Sequence, residues 1–519
     1  MYKKDNNNDK LKWFVKNVGK GVLCFLITLG VLFSLLFFAC CIPKYKIREN
    51  LLESARYLLA NEAEFHQLKS GDRRTEIHNY ADATTMNILY SVDGENLLWE
   101  MVMSPFYSDK MNLDKSMTEL LTERIRFERP NDTLYDRYWH GMIIFLKPLF
   151  VLFTLQQIRG IFLGLLIICM LVLTMLLVRQ KQYLSPMLLW LGALSVKFWM
   201  AGFCIEYFPV FLITFLLSVC MVLWEEKRER IIRLCIVSGV CVAFFDFLTT
   251  ETLAFVIPMA IVYGIWRRKG TLKSFKEEIL YLFRAGCSWG MAYVFTYVTK
   301  WTLASIAYGE ERFSVALSQL AGRQGNSVIS FAADSIGPNG ISADALQNAG
   351  GEVLPQFLSA VVINIRLLLG LSGKISLEKL ALLLLVLGLI IVAVIYLFRK
   401  PGPVEVLSGI LFLLGTIPIL RMMVLNNHST EHCFFVYRSL YGTIICFSAG
   451  IMHLFDWEFI RRRRKNGGKR IKKQGQVVTG MGTELFTDSG SYGVWSAGGQ
   501  GIGCRDRNYP GSAVYGAFR

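Results

Sequence analysis

The chain has 519 residues, 53% of them hydrophobic and 18% charged, with a mean hydropathy of +0.40. That balance excludes an ordinary soluble protein of this size, and the apolar residues come in long blocks. The net charge of +16 sits mainly in the junctions between blocks, where it sets topology, so no nucleic-acid partner is expected.

Lys3, Lys4, Lys10, Lys12, Lys16 and Lys20 precede the first block, GVLCFLITLGVLFSLLFFACCI (21–42). A helix rises ~1.5 Å per residue through a ~30 Å hydrocarbon layer, so an uncharged run of about 20 residues is a span candidate. The block is too long for a signal peptide and no small-residue cleavage site follows it, so a signal anchor is expected. Residues 43–157 form a large first outer loop. Within it Leu51, Ala55, Leu58 and Phe65 recur at helical spacing, predicting a helix on the membrane surface or packed over the bundle. Asp82, Asp93 and Glu95 follow among apolar neighbours, and YDRYWHGMIIFLKPLFVLF (135–153) predicts an aromatic-led interfacial helix interrupted by Pro148.

Further spans are expected near 158–179, 184–204, 208–224, 230–247, 250–267, 280–303, 377–398, 404–424 and 434–455, about ten in all. Basic clusters at Arg179/Lys181, 225–233, 267–276, Arg399/Lys400 and 461–473 are placed in the cytoplasm with both termini. The short junctions 205–207, 246–251 and 426–432 then face outward, and they hold acids and histidines but no lysine or arginine. Residues 304–376 form a second outer segment, rich in Gly, Ser and Asn, read as a lid or a tether. Within it 357–371 is read as an interfacial or partly entering stretch, and a full crossing there would invert all that follows. The basic segment from 456 and the Gly-rich tail 474–519 are read as cytoplasmic and disordered. The expected fold is an all-α polytopic protein of the cell membrane, its domain at 21–455 preceded by a basic cytoplasmic stretch at 1–20.

Most of the twelve cysteines lie in or beside apolar runs without ligand spacing, and read as small buried hydrophobes. Ionisable groups at membrane depth are costly, and several gather towards the outer span ends: Lys197, Glu206, Asp246, Glu251, Lys300, Arg421 and Arg438. Each alone could snorkel, pair internally or cap a helix; together they predict an anion site. His66, His78, His140, His428 and His432 also face outward. His428 and His432 share a helical face, yet no third ligand is evident, so no metal is expected; hydrogen bonding to a phosphate or sugar is the functional reading, and a structural cap is the alternative for either histidine alone. The sequon Asn427-His428-Ser429 is taken as chance. Asp82 is read as a loop residue that could also act as a general base.

The layout resembles the integral-membrane glycosyltransferases of the GT-C fold, such as protein mannosyltransferases and aminoarabinose and other polyprenyl-phosphate sugar transferases. RYWHG…LKPL…IR, DFLT and NNHS..H..F.YR are similar to a bacterial family of GT-C-like membrane proteins, over roughly 20–455. The resemblance implies inverting transfer of a sugar from a polyprenyl-phosphate donor to a glycan, lipid or protein acceptor at the outer face. It implies an outer-loop aspartate as base, carried to Asp82 with Asp93 and Glu95 as alternatives, and no cofactor. Glu206, Asp246, Glu251, His140, His428 and His432 would bind sugar or acceptor, while Lys197, Arg421 and Arg438 would neutralise the leaving phosphate. The competing readings are a transporter or lipid flippase, which would show internal repeats and polar residues at mid-membrane, and a silent scaffold.

Overall fold

The computed structural model describes residues 7–62, 64–94, 96–112, 114–309, 312–323, 355–371, 376–398 and 405–455. Glu95, Arg399, Lys400, the central part of the second outer segment and everything from 456 onward lie outside the described residues. The chain is mostly helical. Helix α1 (Asn7–Cys40) leads into α2 (Lys44–Asn61), whose Leu51, Ala55 and Leu58 are buried. The predicted stripe is therefore packed inward on the protein. Phe65 instead lies outside the helix: Phe65–Gln67 pairs antiparallel with Glu76–His78, setting Phe65 opposite His78. A second small pair joins Pro105–Phe106 to Thr133–Leu134.

Between these strands lie α3 (Asn79–Ser91), α4 (Leu97–Met103) and α5 (Met117–Phe127), the last started by a Ser116/Glu119 capping box. α6 (Ile143–Leu152) carries Pro148 and feeds α7 (Leu155–Arg179). The chain before α6 docks on the bundle through Gly141, whose N–H donates to Phe244 O at 3.1 Å; a side chain there would collide with Phe244. The following helices are α8 (Leu184–Ser195), α9 (Phe208–Trp224), α10 (Arg228–Phe245), α11 (Leu253–Lys269) and α12 (Phe275–Tyr308). The expected continuous span 184–204 is broken: Lys197 has φ +52°, and a 3-10 turn, Phe198–Gly202, replaces the rest.

The segment 304–376 is less loop-like, over its described residues, than its composition suggests. It contains α13 (Arg312–Gly322) and α14 (Gln356–Leu368). At ~1.5 Å per residue the thirteen residues of α14 cover about 20 Å, short of a ~30 Å crossing. α14 is held by Asn364, which donates to Ser429 O at 2.8 Å. Then come α15 (Leu377–Phe398), α16 (Val406–Val424), two short turns at Asn426–Glu431 and Cys433–Val436, and α17 (Leu440–Leu454). Among the described residues, five stretches are long and apolar enough to cross a membrane: 16–40, 155–179, 379–398, 406–424 and 433–454. Shorter apolar helices include α8, α9 and α14.

Two sets of junctions collect at opposite ends of this bundle. α10 runs from one to the other. At its start, Arg228 pairs with Glu278 at 2.8 Å and Arg284 with Glu229 at 2.9 Å, while Lys269 reaches Glu225, Arg267 reaches Glu405 and Arg268 donates to Lys181 O. At its end lies Asp246, with the other acidic and histidine-bearing junctions.

Candidate functional site

The junction after α10 is shaped by Asp246. Its carboxylate accepts the Thr249 N–H at 2.9 Å and the Thr249 hydroxyl, closing a tight turn. Burial, reinforced by Glu251, pushes the Asp246 carboxyl up to about 8. Leu248 in this turn has φ +65°, a region that branched and bulky residues rarely occupy. The strained backbone presents its carbonyl to two donors, Arg421 Nη2 at 2.7 Å and His428 Nε2 at 2.8 Å. Arg421, in the last turn of α16, also grips Glu251 through Nε (2.8 Å) and Nη2 (3.3 Å) and donates to Ser429 Oγ at 3.1 Å. The junctions 246–251 and 426–432 are thus locked together by a satisfied, buried ion pair. His428 and His432 lie on one face, ring centroids 4.6 Å apart, and His432 stacks on Phe435. Burial, with the charges of His78, Arg323, Arg421 and Arg137, pushes His432 down to about 3; burial and His432 push His428 well down too. Both rings are neutral at ordinary pH.

A second node is built on α3. Asp82 has no exposed surface. Its Oδ2 accepts from Arg159 Nη2 at 2.9 Å and its Oδ1 from the Ile205 N–H at 2.9 Å. Arg159, near the start of α7, further binds Asn79 Oδ1 at 2.6 Å and Glu62 at 3.3 Å. Burial pushes the Asp82 carboxyl up against the pull of Arg159. These contacts correct the expectation for Asp82 as base: both oxygens are engaged, and no surface is left for a substrate hydroxyl. What Asp82 does is staple the junction 204–206 to α3. Asp93 pairs with Lys44 at 2.9 Å, away from this node.

On that stapled junction, Glu206 Oε2 lies 2.7 Å from His78 Nδ1. His78 stacks on Phe65 at 5.0 Å, with Tyr80 beyond and Phe434 edge-on. The charge of Glu206 also bears on Asp246, and that of His78 on His432, so this pair adjoins the first node.

Lys197 and Arg438 make contacts of their own, separate from those of Arg421, although the buried Nε of Arg438 has no hydrogen-bond partner. Lys197 lies 3.7 Å from Asp72 and over the Trp199 ring. Arg438 is fully buried, donating to Phe434 O (2.8 Å) and Arg74 O (3.0 Å) between the Tyr207 and Tyr437 rings. His140, at φ +52°, holds Tyr135 O through Nε2 at 3.0 Å; burial and then Lys300 push it down to about 3. His140 is therefore a buried residue that braces the chain before α6.

Two arginines that carried no assigned role stand out instead. Arg137 binds Gln319 Oε1 and Tyr135 OH, both at 3.1 Å, and Arg323 donates to Tyr138 OH at 2.7 Å. Both guanidiniums lie against the Tyr138 ring, at 5.6 and 5.8 Å. Among the described residues neither has a carboxylate within ion-pair distance, and the buried Arg137 Nε has no partner. Arg137 was visible within RYWHG; Arg323 lay in a stretch with the composition of a loop. Among the described residues, no three His, Cys, Asp or Glu side chains are arranged to hold a metal ion.

The fold and these nodes define a mostly helical membrane-embedded protein with buried ionic chemistry gathered at one end. No protein-family model, curated protein or solved structure matches the chain.

Proposed function

We propose that the protein is a GT-C-like, inverting glycosyltransferase of the cell membrane, which moves a sugar from a polyprenyl-phosphate donor to a glycan, lipid or protein acceptor. About ten spans with both termini cytoplasmic would set the ion-rich end on the extracytoplasmic side, consistent with the basic junctions meeting at the other end. The observation that carries the reading is the pair Arg137 and Arg323, two guanidiniums that have no carboxylate within ion-pair distance among the described residues. Half-buried cations of this kind are stabilised by an anion, and two planar forks suit a phosphate. Beside them, Glu206 and the neutral rings of His428 and His432 supply groups able to orient hydroxyls. We assign the phosphate to Arg137 and Arg323 rather than to Lys197, Arg421 and Arg438, because Lys197 and Arg421 have carboxylate partners and two guanidinium nitrogens of the fully buried Arg438 are spent on backbone carbonyls.

The test is transfer by the purified protein, in liposomes, from a panel of radiolabelled polyprenyl-phosphate sugars. Product release of label from the lipid supports the reading; label that stays on the lipid with every donor, in protein shown to be folded, defeats it.

A further inference from the structure

Glycosyl transfer requires a group that takes the acceptor's proton, and the buried carboxylates are poorly placed for it. Asp82 spends its oxygens on Arg159 and Ile205, Asp246 on Thr249, and Glu251 on Arg421. His78 differs. It ends the strand Glu76–His78, its N–H donates to Cys204 Sγ at 3.4 Å, and its ring is fixed by Phe65 on one side and Glu206 at Nδ1. About a tenth of its side chain remains exposed, 10%, with 12% for Glu206. Among the described residues Nε2 has no hydrogen-bond partner. A carboxylate that accepts from Nδ1–H selects the tautomer whose Nε2 lone pair is free, and it stabilises the imidazolium that forms when that nitrogen takes a proton.

We infer that His78, oriented by Glu206, is the general base of the transfer reaction, an inference that rests on the glycosyltransferase reading. The acceptor oxygen forms a bond to the anomeric carbon while its proton passes to His78 Nε2. The anomeric carbon–oxygen bond to phosphate breaks, and its electron pair leaves on the phosphate oxygen, between Arg137 and Arg323. The polyprenyl phosphate departs as a monoester, and the imidazolium returns its proton to water. Burial opposes a charge on His78, but Glu206 overrides it and holds the imidazole above its ordinary value, which suits a base working near neutral pH. Asp82 is a positioning residue in this scheme: it fixes Ile205, and with it the next residue, Glu206.

The experiment compares wild type, His78→Ala and Glu206→Gln in the liposome transfer assay across pH. The expected result for His78→Ala is a loss of at least ~100-fold in kcat with donor KM little changed, partly restored by added imidazole. For Glu206→Gln the acidic limb of the pH–rate profile moves to lower pH, since the imidazolium loses its carboxylate. His78→Ala with a wild-type melting profile and wild-type rate overturns the inference. If that variant does not fold, an unshifted acidic limb in Glu206→Gln overturns it. Transfer by wild type with either of these outcomes leaves the glycosyltransferase reading standing; absence of transfer by wild type removes that reading and the base role together.

Discussion

The two ends of the bundle handle charge in opposite ways. At the basic end the cations of the pairs stay partly open to water, Arg228 at 24%, Lys269 at 37% and Arg284 at 35%, even where the partner carboxylates of Glu278 and Glu225 are buried. At the other end the ions are sealed in, with Arg421 and Glu251 at 7% and 6% and Arg159 and Asp82 at 5% and 0%. Two more guanidiniums there, Arg137 and Arg323, have only phenols and an amide as side-chain hydrogen-bond partners among the described residues. Exposed pairs contribute little to stability, whereas buried ones are costly to build and more costly to break. A protein that gathers the second kind at one end holds a fixed electrostatic environment there.

The largest expected effect comes from breaking a sealed pair. Arg421→Ala strands Glu251 in the interior and should cost about 3–5 kcal/mol, read as a fall in the melting temperature of the detergent-solubilised protein. A melt equal to wild type would mean that this end is wetter than its geometry implies. Next in size, Arg137→Ala and Arg323→Ala each remove a charged donor worth about 1.5–3 kcal/mol, so donor KM should rise roughly 10- to 100-fold while the melt moves little. An unchanged KM would take the phosphate away from these two residues.

A third effect is set by pH. His432, pushed down to about 3 in the fold, stays neutral at pH 5, while the unfolded imidazole gains a proton below ~6.5. Folded stability is therefore lost as pH falls from ~6.5 towards 5, by up to about 1.4 kcal/mol per pH unit for this group. His432→Asn should flatten that part of the stability profile by the same slope. His78 acts with the other sign: its raised value adds stability that is present below ~6.5 and fades as pH rises through that value. The smallest effect is expected at the basic end, where Arg284→Ala should shift stability by under about 1 kcal/mol. A loss there as large as that of Arg421→Ala would erase the contrast between the two ends.

The helices were legible because apolar runs and basic junctions are local signals. Leu51, Ala55 and Leu58 fall on one buried face as their spacing predicts, and α15 occupies 377–398 as its composition predicts. The break at Lys197 was not legible, since its left-handed backbone leaves no mark in an apolar window. In the site, the sequence grouped Glu251, Arg421, His428 and Asp246 as candidates near span ends and short junctions, and the fold brings them together. It gave Asp82 a base's role because an acid in an outer loop looks accessible. Its burial depends on Arg159 and on Ile205, 77 and 123 residues away along the chain.

Sequence alone determined that this chain is a helical membrane protein with acids and histidines segregated from lysines and arginines in its short junctions, because hydropathy and charge act over single elements. Only the tertiary structure decided which ions are spent on one another and which stay open. Pairing is a property of neighbours in space: Glu251 meets Arg421 across 170 residues, and His78 meets Glu206 across 128. No window along the chain contains both partners.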